Sequence, residues 1–121
     1  MANVEWNLNG KGPLWQQIAD ILRRSIATGV YPAGSRLPTV RDLASQAAVN
    51  PNTMQRAMSQ LEADGIAVAN STSGRTVTDN ENIIAELRMS MARERTENYL
   101  AEMQILGFTP SEVVQLIREE N

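Results

Sequence analysis

At 121 residues the chain has room for one small domain and an appendage, while a second ligand-binding domain of typical size does not fit. It has no cysteine, hence no disulfide or thiolate chemistry, and no histidine, the commonest general base and metal ligand, so most enzyme classes lose their usual parts. The net charge of −3 is unevenly spread: residues 13–78 carry six arginines against four acids, and residues 79–121 carry four arginines against nine acids.

The opening MANVEWNLNGKG has no apolar run of signal-peptide length, and nothing in the chain approaches the roughly 20 apolar residues of a membrane span, so a cytoplasmic location with no membrane partner is expected. Val4, Trp6 and Leu8 alternate with Glu5 and Asn7, which fits a short edge strand or an arm. From Leu14 to Thr28 the residues Leu14, Ile18, Ile21, Leu22 and Ile26 recur at helical spacing, and Gly29 suits the left-handed residue that ends a helix. VYPAGSRLP then carries two prolines and a glycine, marking a turn and a short extended piece.

Thr39 followed three residues later by Asp42 resembles a capping box, so a second helix begins just after Thr39 with Val40, Leu43, Ala44 and Ala47 facing inward. Asn50 is a good N-cap, and Pro51 suits the first position of a third helix, where its missing N–H costs nothing. Val49 and Met54 are spaced as a hydrophobic staple. Met54, Ala57, Met58 and Leu61 form the inward stripe, which leaves Asn52, Thr53, Gln55, Arg56 and Ser59 outward. Ser35 to Gly65 thus reads as two short helices around a tight turn, the layout of a helix-turn-helix DNA reader.

Ile66–Ala69 and Arg75–Thr78 flank the polar stretch Asn70–Gly74 and read as a β-hairpin, which in this position is a wing. A long helical pattern follows Asp79, with Ile83, Ile84, Leu87, Met91, Tyr99, Leu100, Met103 and Leu106, and ends near Gly107. The charged stretch ARERTEN at 92–98 interrupts the stripe and reads as a solvated bend. Thr109, Pro110 and Glu112 repeat the cap-plus-proline device before a final amphipathic helix lined by Val113, Val114, Leu116 and Ile117. The tail stripe fits core packing of one chain or a dimer seam. The two-fold interface is the better account of Ile83, Leu87, Met91, Tyr99 and Met103, because the small helices cannot cover every apolar position.

PLWQQI at 13–18, GVYPAGSRLP at 29–38, VRDLA at 40–44, VNPNT at 49–53 and AMSQLEADG at 57–65 together resemble the GntR family of bacterial winged helix-turn-helix regulators. LGFTPSEVVQLI at 106–117 is similar to its short YtrA-type branch, whose members lack the large effector domain of longer relatives. The resemblance implies that Arg41 contacts DNA from the second helix, that Asn52, Thr53 and Gln55 meet the major groove, and that the wing approaches the minor groove. It makes Arg36 and Arg56 phosphate partners. In the wing, STSGRTV places Thr72 and Thr76 where the family pattern has a glycine and an aromatic, so only Gly74 and Arg75 are carried over. It also implies dimerisation through the tail and repression of operons that include transporter genes.

The expected fold is mostly α with a small β-wing: a winged helix-turn-helix in residues 1–78 followed by a two-helix C-terminal dimerisation tail in residues 79–121. Asn and Gln can pair bidentately with adenine, and Thr can touch a thymine methyl, each good pair discriminating by about 1–3 kcal/mol. Without the resemblance, Arg41 reads equally as a solvated arginine, and Trp6 and Trp15 read as packing residues rather than stacking platforms. No carboxylate pair, activated hydroxyl or phosphate loop is placed for catalysis, so no enzyme activity, cofactor or metal is expected. The expected partners are a double-stranded DNA operator and a second copy of the chain. The rival reading is a winged-helix protein adaptor. A third reading, a sensor holding a small-molecule effector between tail and DNA-binding part, is compatible with the first.

Overall fold

A computed structural model describes residues 4–70 and 74–120, and the wing-loop position Thr72 lies outside them. The elements in chain order are α1 (Leu14–Ala27), α2 (Val40–Ala47), α3 (Pro51–Ala63), β1 (Ala67–Asn70), β2 (Gly74–Val77), α4 (Glu81–Ile105) and α5 (Pro110–Glu119). The mostly helical winged fold expected from the sequence is observed.

Residues 4–13 form an arm rather than a strand: Trp6 and Leu8 pack on the core, while the backbone makes no ladder. Gln17 ties this arm to α1, accepting from the Gly10 N–H at 3.0 Å and donating to the Gly12 carbonyl at 2.9 Å. Ile18, Leu22 and Ile26 follow one another at four-residue spacing on α1 and are almost wholly buried. The helix stops where Gly29 takes a φ of +82°, a conformation that costs other residues. Leu43 and Ala44 of α2, Met54, Ala57, Met58 and Leu61 of α3, and Ile66 close the same core. Each large side chain buried here contributes about 1.5–3 kcal/mol relative to exposure.

β1 and β2 pair antiparallel, with Ala67 opposite Val77 and Asn70 opposite Gly74. The extended piece before α2 adds a third edge to this hairpin. The Leu37 N–H donates to the Arg75 carbonyl at 2.9 Å, the Val77 N–H donates to the Ser35 carbonyl at 2.8 Å, and Arg36 faces Thr76. Leu37 and Val77 are thereby buried at the base of the wing.

The chain divides into two compact units, one reaching to Arg88 and the other starting at Met89, with α4 crossing the division. Ile84 and Leu87 pack against the core of the first unit, so that unit extends beyond Thr78 into α4. The bend expected at ARERTEN does not occur, because α4 is continuous from Glu81 to Ile105. Alanine, arginine and glutamate are all strong helix formers, so a break in the apolar stripe does not break the helix. In the second unit Gly107 (φ +93°) ends α4, and Thr109 caps α5 through a complete capping box. The Glu112 N–H donates to the Thr109 hydroxyl at 3.2 Å, and the Thr109 N–H donates back to the Glu112 carboxylate at 3.0 Å.

Candidate nucleic-acid interface

The turn between α2 and α3 sets the presentation of α3. Ala48 has a φ of 56°, the one left-handed non-glycine among the described residues. Its N–H donates to the Ser45 carbonyl, and the Val49 N–H donates to the Ala44 carbonyl at 3.0 Å, closing α2 in barely more than one residue. Small Ala44 and Ala47 are buried on α2, and Ala57 is buried on α3. They let the pair pack closely.

Asn50 then starts α3. Its side-chain oxygen accepts from the Asn52 N–H at 2.7 Å, and Pro51 fills the first helical position. Met54 is fully buried and Val49 packs on the same cluster, as a hydrophobic staple requires. These internal anchors fix which way the polar face points. Asn52, Gln55, Arg56 and Ser59 are exposed and Thr53 is half-buried, so the structure brings Asn52, Thr53, Gln55 and Arg56 together on the first half of α3. The Gln55 amide rests on the Ser59 hydroxyl at 3.2 Å, a weak exposed bond that a base edge could replace. The helix dipole adds positive potential at this same end.

Arg41 is exposed in the first turn of α2, which Thr39 caps by accepting from the Asp42 N–H at 3.1 Å. Arg36 is exposed at the wing base opposite Thr76. Arg56 places its guanidinium carbon over the Trp15 ring, 4.4 Å from the centroid. This contact gives Trp15, a half-buried packing residue by sequence, a second part to play.

Arg75 is placed differently. Its Nε donates to the Glu62 carboxylate in a partly buried ion pair, its side chain 15% exposed. Glu62 lies ten residues beyond Asn52 on α3, roughly 15 Å along the axis, so Arg75 is not gathered with the α3 N-terminal group. Gly74 begins β2 with a φ of +83°. Neither the Arg75–Glu62 nor the Arg23–Asp64 ion pair is visible from periodicity, because each joins residues from different elements, whereas Arg23–Asp20 is an i,i+3 pair within α1.

Of the expected seam residues, Leu87 packs against the first unit's core, Ile83, Met91 and Met103 are half-buried, and Tyr99 is 44% exposed. Sequence reasoning missed a larger apolar exposure from Ile105 to Ile117. Ile105, Leu106, Val114 and Ile117 are each about half exposed or more, and Val113 alone among the second unit's described hydrophobics is buried. The Glu112 carboxyl is held below its ordinary pKa, first by the Thr109 backbone N–H and then by the Thr109 side chain.

A capped recognition helix, a tight turn from its preceding helix and a hairpin at its far end define a winged helix-turn-helix DNA-binding protein. The sequence profile "Bacterial regulatory proteins, gntR family" matches residues 14–77, and the chain belongs to that family. It is 36% identical over 107 residues to the uncharacterized HTH-type transcriptional regulator YhcF of Bacillus subtilis, covering 88% of each chain. It is 27% identical to the HTH-type transcriptional repressor YtrA of Bacillus subtilis, covering 88% of this chain and 83% of that protein. A solved GntR family transcriptional regulator from Listeria monocytogenes superposes with a TM-score of 0.84 at 32% identity, covering 92% of this chain and 97% of the other.

The protein is therefore a bacterial DNA-binding transcriptional regulator of the short, YtrA-like kind. Its relatives are regulators rather than enzymes, and the adaptor reading gives way to the DNA-binding one. Among the described residues no helix is long and apolar enough to cross a membrane.

Proposed function

We propose that the protein is a homodimeric repressor that binds a pseudo-palindromic operator, with one α3 in each of two major grooves roughly 34–36 Å apart. Asn52, Thr53 and Gln55 read base edges, Arg41 supports them from α2, and Arg36 and Arg56 meet phosphates. Gly74 and the base of the wing lie over the neighbouring backbone. The resemblance to YtrA, named as a repressor, supports repression, and the proposed target is an operon that includes transporter genes.

One observation carries the dimer. Eight of the ten most exposed large hydrophobics among the described residues belong to the second unit, which has one buried hydrophobic of its own. A helix pair that exposes this much apolar surface is half of an interface. Met91, Tyr99 and Met103 line the seam along α4, with α5 adding Leu116 and Ile117; Ile83 and Leu87, which belong to the first unit, complete the proposed seam set. The acidic tail is kept off DNA by its own charge, since residues 79–121 carry five more acids than arginines.

Sedimentation of the full chain tests this. Wild type is expected as a dimer, and Ile117→Glu, which places a charge in the seam, is expected to shift it toward monomer and to weaken binding to a selected duplex at least tenfold. A monomeric wild type, or a variant that still sediments as a dimer and binds equally, would count against the seam.

A further inference from the structure

Two arginines flank the recognition helix, and the structure holds them by different chemistry. Arg75 is tied by an ion pair to Glu62, which consumes an in-plane N–H donor and offsets the charge. Arg56 is held instead by a cation–π contact, its guanidinium carbon 4.4 Å from the centroid of the Trp15 ring, and has no carboxylate partner among the described residues. A guanidinium stacked on a ring keeps its charge and all its in-plane donors, which are the groups that grip a phosphate. The exposed side of Arg56 faces the same outward surface as Asn52 and Gln55.

The partner ring is anchored at its backbone. Trp15 is half-buried on the second residue of α1, and α1 is the helix most extensively packed against α3. Trp15–Arg56 and Arg23–Asp64 share one sequence offset of 41 residues, so the two contacts sit about two turns apart along a side-by-side helix pair. The backbone that carries the indole is thus held against α3. A long, freely rotating arginine loses much of its rotamer freedom when it meets a phosphate, and a stacked one has already lost it.

We propose that Trp15 is a positioning residue for DNA binding: its ring pre-orders the Arg56 guanidinium for a backbone phosphate beside the recognition helix. The proposal rests on the reading of Arg56 as a phosphate partner. It predicts that Trp15 acts on DNA affinity through Arg56 alone, independently of base sequence.

A double-mutant cycle in the full-length protein tests it, using a fluorescent duplex selected by the wild-type protein from a random pool and titrated at several salt concentrations. Arg56→Ala is expected to weaken binding and to lower the salt slope by about one per subunit. Trp15→Leu is expected to weaken binding roughly fivefold per subunit with the slope kept, and Trp15→Phe, which retains an aromatic face, is expected to recover most of that loss. In the Arg56→Ala background Trp15→Leu should cost nothing more. If Arg56→Ala lowers affinity and slope while the two losses simply multiply, Trp15 acts apart from Arg56 and the proposal fails with the phosphate reading intact. If Arg56→Ala leaves affinity and slope unchanged, the phosphate reading itself fails. Should Trp15→Leu not fold, Trp15 emission is read in a Trp6→Phe protein with and without Arg56→Ala. Emission that does not respond to loss of the guanidinium overturns the stack in solution.

Discussion

The first unit buries seventeen of the eighteen hydrophobics that are buried among the described residues, and the second buries Val113 alone. Both contain amphipathic helices with side-chain caps, α2 and α3 in the first and α5 in the second, so helix signals alone do not explain the contrast. It comes from what each apolar face meets. α1, α2 and α3 close on one another and on the wing base, whereas α5 leaves Val114, Leu116 and Ile117 between about a third and a half exposed. The first unit closes its core within one chain, and the tail leaves an apolar face open, as the proposed pairing requires. That division suits a regulator in which reading and pairing are separate tasks.

Substitutions can break or sharpen this contrast. The largest effect is expected from Leu61→Ala, at the fully buried centre of α3. It should destabilise the first unit by about 2–5 kcal/mol in denaturant unfolding. Ile117→Ala should leave that transition in place, and any loss it causes should depend on protein concentration, as coupled dimerisation requires. Equal, concentration-independent losses from both would dissolve the contrast.

A smaller effect is expected at the turn. Ala48 holds a left-handed conformation that disfavours a Cβ, so Ala48→Gly should raise stability by about 0.5–1 kcal/mol with the recognition helix still presented. A fall in stability measured by thermal unfolding would show that the added chain entropy outweighs the relieved strain.

The smallest effect concerns Glu112 in the tail cap. Its carboxyl is depressed in the folded state, so its contribution is present above the unfolded carboxylate pKa and is lost as pH falls through the folded value. Glu112→Gln should therefore lower helicity slightly at neutral pH, and circular dichroism of variant and wild type should converge in acid. A difference that persists at low pH would assign the effect to packing rather than charge.

Much of this fold was legible because its boundaries are written in caps. Thr39, Asn50 with Pro51, and Thr109 with Glu112 all start helices by the bonds their residue types suggest. The outward placement of Asn52, Gln55 and Arg56 follows from the buried Met54, Ala57, Met58 and Leu61 at helical spacing. Other features were not legible, because periodicity reports faces and not partners. Nothing along the chain links Trp15 to Arg56 or Glu62 to Arg75, and both contacts exist only once α1, α3 and the wing are folded. The polar stretch at 92–98 misled for a related reason: it breaks the apolar stripe, yet helix propensity carries α4 through it.

The central claim is that two copies present one α3 each to a two-fold operator. Hydroxyl-radical footprinting of the wild-type protein on a selected duplex tests it most directly. Two protected segments related by a dyad and centred roughly 34–36 Å apart are predicted, both lost together in Ile117→Glu. A single protected segment of the same strength in wild type and variant would contradict the account.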